Sequence, residues 1–364
     1  MKRTARLLAG SLAALALTTG VTTAAAATAN AALINAIVNG GKWDAYQPTP
    51  GASTAYPGMF IDFSGDLTDG DTTYLEGASC TMGAVGTDAA GRKIGITAGH
   101  CNQRPRTING QQFRYPGPTR GIEVSDQDRD KHPVFDRNAS KWAEQHPDEP
   151  PAKPIGWIRW VDDDVCEDGE THLNSANGEA PCYAGMPFEM RGADMDSLTD
   201  YMVIEFAPEV QLSSQVLNKQ GKPVMSTAGG NKPFKVNSIY TGPDGAPAVP
   251  GLFSYVEIYG GRTDRMPDPS SSPPVLTTPS NGMVTGVTNG RFRAAAGFWH
   301  GDSGGPVVIK GTGKWAGITT MLHIPTLASR LVPWVSTSAK NILDDLNDPN
   351  RPGTIGRGFT PINN

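Results

Sequence analysis

Glycine and proline interrupt this chain so often that few helical patterns of any length survive: 43 Gly and 30 Pro stand among 364 residues. Between the breakers lie short apolar runs at residues 80–85, 93–98, 155–161, 201–206, 234–240, 253–259, 283–288, 306–309 and 315–321. Runs of this length, bounded by Gly, Pro, Asn and Asp, read as strands joined by turns, and their regular recurrence suggests antiparallel barrels. The turn-prone stretch 86–91 joins the first two runs as a hairpin. With 38% hydrophobic residues, the chain is long enough for one large domain or two moderate ones. A helical period emerges near the end, where Val335, Ala339, Ile342, Leu343 and Leu346 recur and Ser336 or Thr337 offers a cap.

Lys2, Arg3 and Arg6 precede an apolar segment at 7–17 and an alanine-rich stretch offering the cleavage site Ala29-Asn30-Ala31. That is the pattern of a secretory signal spanning residues 1–31, and it places the protein outside the cell. The apolar segment is too short for a stable membrane anchor, and no comparable one follows. Formal net charge is -5 with no basic run, so nothing points to nucleic acid. In an exported chain the four cysteines, Cys80, Cys101, Cys166 and Cys182, read as two disulfides with three possible pairings. A zinc site lacks support: no two cysteines have ligand spacing, and no His-x-x-x-His or His-Glu-x-x-His occurs. The acidic stretch 62–71 does not fit a calcium loop and reads as a solvated turn. Residues 103–154 are polar with little periodicity and read as an inserted surface excursion, bearing the sequon Asn138-Ala139-Ser140. Residues 266–282, rich in Pro and Ser, read as an exposed loop.

Chemistry enters at Gly301-Asp302-Ser303-Gly304-Gly305-Pro306. A serine hydroxyl is inert at neutral pH until a positioned base takes its proton and nearby donors stabilise the oxyanion formed on the attacked carbonyl. Glycines beside Ser303 leave room for a substrate backbone, and the amides of Gly301 and Ser303 are suited to converge on one point as an oxyanion hole. Upstream stand Thr97-Ala98-Gly99-His100-Cys101 and Thr199-Asp200-Tyr201-Met202-Val203-Ile204, the latter placing an aspartate directly before an apolar strand. Asp194 and Asp196 are nearby rivals not followed directly by that strand.

These three segments resemble the histidine, aspartate and serine motifs of the trypsin and chymotrypsin family of serine proteases, in that family's chain order. The resemblance covers 75–101, 155–161, 198–206 and 283–347. It implies an all-β fold of two antiparallel six-stranded β-barrels with a C-terminal helix. The first barrel, 32–210, carries His100 and Asp200 with the inserted loop 103–154; the second, 211–348, carries Ser303; 349–364 is a tail. It also implies the Cys80–Cys101 pairing, which leaves Cys166 with Cys182. The activity implied is hydrolysis of a protein or peptide substrate through an acyl-enzyme, with no cofactor. His100 acts as base and then acid, and Asp200 orients it.

The segment Ile37-Val38-Asn39-Gly40 is similar to the new amino terminus that activated members bury against the aspartate beside the serine, here Asp302; an ordinary apolar segment ending in a turn is the preferred reading, since secreted bacterial members often manage without this switch. In the family the residue six before the serine, here Gly297, forms the base of the primary pocket. The wall corresponds to 317–322, including Thr320 and Leu322. With no carboxylate at 297 and a leucine at 322, small or medium uncharged residues are expected at the cleavage site. A serine esterase, a silent precursor and a non-catalytic binding protein on the same scaffold are the alternatives. Oligomeric state is not legible.

Overall fold

The computed structural model describes residues 54–63, 79–101, 106–108, 111–113, 118, 121–162, 171–174, 178–181, 199–265, 278–288, 290–299, 301–322 and 334–364. The signal segment 1–31, the Ile37 segment, Asp194, Asp196, Cys166 and Cys182 lie outside these residues. Two curved antiparallel sheets dominate. The first is built from β1 (Phe60–Asp62), β2 (Ser79–Thr81), β3 (Ala84–Thr87), β4 (Lys93–Thr97), β5 (Pro133–Asp136), β6 (Gly156–Asp162) and β7 (Tyr201–Phe206). Its order is β3-β4-β7-β6-β5-β1-β2. The two ends of that sheet, β2 and β3, are consecutive pieces of one chain. Met82 donates to Met59 O and Gly83 to Ile96 O, both at 2.8 Å, so the backbone changes partner between them and the sheet curls towards closure.

The second sheet closes by pairing alone. Its strands are β8 (Tyr255–Ile258), β9 (Ser280–Thr288), β10 (Arg291–Ala294), β11 (Pro306–Ile309), β12 (Lys314–Leu322) and β13 (Trp334–Ser338). They run β12-β11-β8-β9-β10-β13, and β13 pairs back onto β12 to complete a six-stranded barrel. Val256, Ile258, Val284, Phe292 and Val307 fill its interior, as alternation on half-buried strands requires. This is the mostly β architecture implied by the family resemblance, with the second sheet a closed six-stranded barrel; the first, called the first barrel below, is a curled half-barrel of more than the expected six strands. The C-terminal helix Ala339–Asn347 is present too, capped by Ser338, whose hydroxyl accepts from Asn341 N at 3.1 Å. The cap falls one or two residues after the expected one because β13 continues through Ser336 and Thr337.

Two segments differ from expectation. Within 103–154, β5 is a wall strand paired with both β1 and β6. It leads directly into a helix, Arg137–Gln145, capped by Asp136. Arg137 forms a buried ion pair with Asp62, and Ser140 Oγ also donates to Asp62 at 3.0 Å. Asp62 is thus a fully buried anchor and not a solvated turn residue, and the sequon hydroxyl is held inside.

The stretch 349–364 is likewise more than a tail. Thr360–Pro361 pairs with Thr87 and Gly86, adding a strand to the first sheet. Ile355 and Phe359 are buried, the latter edge-on to Trp315 of the second barrel at 5.7 Å between ring centres. Asn364 receives Ser214 N at 2.9 Å and donates to Leu212 O at 2.9 Å, in the connection between the barrels. The segment straps one barrel to the other. The 234–240 run, expected as a strand, contributes only Ser238–Ile239 beside β12. Among the described residues no helix is long and apolar enough to cross a membrane.

Candidate active site

Asp200 lies at the start of β7, almost wholly buried. His100 lies in the short 3-10 turn Gly99–Cys101 that follows β4. Because β7 and β4 are neighbours, with Met202 opposite Thr97, the two residues meet at the same end of the sheet. Asp200 Oδ2 is 2.8 Å from His100 Nδ1, and its Oδ1 accepts the His100 backbone N–H at 2.8 Å. Burial pushes the Asp200 carboxyl upward in pKa, but the charge and two hydrogen bonds of His100, with Arg291 adding to them, hold it below the ordinary value. An ionised carboxylate only accepts hydrogen bonds, so it fixes the proton on Nδ1 and leaves Nε2 as the basic nitrogen.

The disulfide Cys80–Cys101 clamps the histidine turn to β2, with an S–S distance of 2.00 Å. The next residue, Thr81, is fully buried, and its amide and hydroxyl both bond across the barrel boundary. Its N–H donates to Ser303 O at 2.8 Å and its hydroxyl donates to Gly301 O at 2.9 Å. That hydroxyl also accepts from Gly261 N at 3.1 Å, while Thr81 O accepts from Thr97 Oγ1 at 2.8 Å. The loop bearing Ser303 is therefore bonded to the same strand, β2, that carries the disulfide to the histidine turn. Gly304 allows this approach: its φ is +83°, and a methyl there would meet Thr81 O at 2.5 Å and Ala98 N at 2.7 Å.

Ser303 is partly exposed in a turn in which the amides of Asp302, Gly304 and Gly305 donate to Trp299 O, Thr319 O and Asp302 O. Among the described residues the amides of Gly301 and Ser303 donate to no protein acceptor. These two donors stand two residues apart, in a loop where Gly301 adopts φ +87°.

Asp302 points the other way, into the protein. It accepts from Arg262 N at 3.0 Å, Thr263 N at 2.8 Å, Trp299 N at 2.9 Å and the Thr263 hydroxyl. Burial nonetheless leaves its pKa above the ordinary carboxylate value. In this conformation four donors from the second barrel already surround the carboxylate that the Ile37 reading would give to an amine.

Of the expected pocket residues, Gly297 is partly exposed and its carbonyl accepts from Ser280 Oγ at 2.7 Å. Thr320 is buried, with its hydroxyl 2.8 Å from that of Thr337 and accepting from Thr337 N, so it is engaged inside the barrel wall. Leu322 ends β12 opposite Trp334, and its side chain lies outside the described residues. Thr81, Thr263 and Arg291 belong to the site and were not singled out from the sequence. Only the adjacency of Thr81 to Cys80 hinted at one of them. No cluster of three potential metal ligands occurs among the described residues.

No family model matches this chain, and no curated protein matches it. Solved structures with a similar fold include a glutamic-acid-specific serine protease that uses a histidine triad in substrate binding, at 13% identity and TM-score 0.40, over 84% of this chain and 100% of that one. Protease A of Thermobifida fusca gives 13% identity and TM-score 0.37 over 85% and 100%. Chymotrypsin of Cellulomonas bogoriensis gives 15% and 0.35 over 79% and 93%. Likenesses of this size assign neither an activity nor a substrate.

Two outcomes are expected. Thr81→Val removes one hydroxyl while keeping shape, stranding Gly301 O and Gly261 N; stability should fall by about 1–3 kcal/mol in urea denaturation, and Thr81→Ser should restore it. Because the folded-state pKa of Asp200 is depressed, its stabilisation is complete above the ordinary value of 3.8 and is lost as pH falls through the folded value. Urea midpoints taken from about pH 5 down to about pH 2 should therefore fall less steeply for Asp200→Asn than for the parent.

Proposed function

We propose that the protein is an exported serine endopeptidase acting through an acyl-enzyme, with Ser303 as nucleophile, His100 as base and Asp200 as its orienting partner. The observation carrying this reading is the pair of hydrogen bonds that the Asp200 carboxylate accepts from the ring and the amide of His100, at 2.8 Å each. It leaves Nε2 available to take the Ser303 proton as Oγ bonds to the substrate carbonyl carbon. The carbonyl electrons move onto oxygen and are met by the amides of Gly301 and Ser303. On collapse, Nε2 returns the proton to the leaving amine; water, deprotonated the same way, then releases the acid and regenerates the serine.

Specificity follows from what position 297 lacks. A substrate Arg or Lys above a glycine would lose solvation without meeting a carboxylate there, so cleavage after small or medium uncharged residues is the proposed preference. The export signal and the disulfide support action outside the cell.

Treatment with a serine-directed phosphonylating reagent should add one group to the intact mass, mapped to Ser303; Ser303→Ala should abolish both the adduct and peptide turnover. Labelling that persists in that variant would assign the nucleophile elsewhere, and ester turnover without peptide turnover would make the protein an esterase. Profiling with a mixed peptide library should show uncharged residues on the acyl side of the cleaved bond, and a dominance of Arg or Lys would refute the specificity while sparing the triad.

A further inference from the structure

The end of the second barrel opposite the serine loop bears a surface that the proposed reaction does not use. β11 starts at Pro306, beside the serine loop, and ends at Ile309; antiparallel to it, β8 runs from Tyr255 back towards Gly260, which packs on Asp302. The far end is therefore roughly 13 Å away along four residues of strand. Three turns converge there, 226–232, 251–255 and 310–314. Glu257, buried within β8, joins two of them to that strand by accepting from Ser226 Oγ, Thr227 Oγ1 and Gly311 N at 2.6–3.0 Å.

The segment 251–255 carries three exposed large apolar side chains in four residues: Leu252 at 54%, Phe253 at 70% and Tyr255 at 55%. Phe253 also adopts φ +67°, a conformation that disfavours any residue with a Cβ. A bulky aromatic that is both strained and solvent-exposed is doubly unfavourable for the isolated fold, and such a combination points to a contact made elsewhere. Around it the exposed charge is positive. Lys232, Lys310 and Lys314 lie in two of the three turns, and no turn contains an acidic residue; Glu257, beneath them, is buried, and the whole chain is acidic at -5. Lys310 Nζ stands 5.9 Å from the centre of the Tyr255 ring.

We propose that this end of the barrel docks on an anionic lipid surface, Leu252 and Phe253 entering the headgroup–acyl boundary while the three lysines meet the negative headgroups. Such a pose leaves the Ser303 end of the barrel facing away from the lipid.

The test is co-sedimentation of the full chain with vesicles of phosphatidylglycerol and phosphatidylcholine in equal parts, against vesicles of phosphatidylcholine alone. The parent should bind the first, weaken with added salt, and bind the second poorly. Phe253→Gly and Leu252→Ser should each lower the partition coefficient about tenfold, and K232Q/K310Q/K314Q about fivefold per lysine. Phe253→Gly discriminates best, because glycine relieves the positive φ: melting temperature should hold or rise while vesicle binding falls. Absence of binding to the anionic vesicles, equal binding to neutral ones, or unchanged binding by the Phe253 and Leu252 variants would overturn the proposal. Concentration-dependent dimerisation removed by Phe253→Gly, without vesicle binding, would assign the surface to a second copy of the chain instead. None of these readouts requires turnover, so their failure leaves the proposed reaction untouched.

Discussion

The geometry of the site rests on the hydrogen bonds of one buried threonine. A cleft between two barrels is only as well defined as the contact that fixes one barrel against the other, because each barrel's own strand pairing says nothing about its neighbour. Thr81 supplies that contact: its amide holds Ser303 O, and its hydroxyl holds Gly301 O and receives Gly261 N. Each bond is worth only about 1 kcal/mol net. Their value lies in direction, since a buried donor or acceptor displaced from its partner finds no water to replace it. The disulfide at the preceding residue extends the same constraint to His100. The loop bearing Ser303 and the turn bearing His100 are thereby tied to one strand, β2.

Two other devices act in the same direction. The 349–364 strap adds a strand to the first barrel, buries Phe359 against Trp315 of the second, and ends at Asn364 bonded to the connection between them. It restrains the hinge from outside while Thr81 restrains it from within. Asp302 does for the serine loop what a cap does for a helix: it gathers the amides at 262, 263 and 299, all from the second barrel. The turn bearing Ser303 is thereby held by contacts within its own barrel.

Much of this was legible in the sequence because it depends on local pattern. Residues 201–206 form a nearly continuous apolar run with sharp bounds, and they form β7 over the same six residues; 306–309 forms β11 likewise. The Cys80–Cys101 pairing follows from the family resemblance and is present. The candidate triad was found by motif, a pattern of residue types that survives where overall identity does not. What escaped depends on distant partners. Pro133–Asp136 is four residues with a proline at its edge and charged neighbours, too short to show a period, and it becomes a strand only because β1 and β6 flank it. The strap has no periodicity of its own and is ordered by contacts to Thr87 and Trp315. Thr81 carries no sequence mark beyond its place next to Cys80, since a hydroxyl in a strand is commonplace until the loop it bonds is brought beside it.

β11 shows how one short strand serves two different demands. At its start the chain must be held still, and glycines there admit backbone contacts too close for a side chain, so order comes from Thr81 and Thr319. At its other end the chain turns through Gly311 and Gly313 between two lysines, beside a phenylalanine that the fold exposes. Between these ends Val307 and Val308 are buried, locking the strand into the barrel. A stiff element that separates the two ends lets the outer one engage a surface without displacing the inner one. A contact at Phe253 that pulled on β11 would have to move the strand along its whole length to reach the Ser303 loop. The closed barrel prevents that, because moving β11 would break its pairing with β8 on one side and β12 on the other.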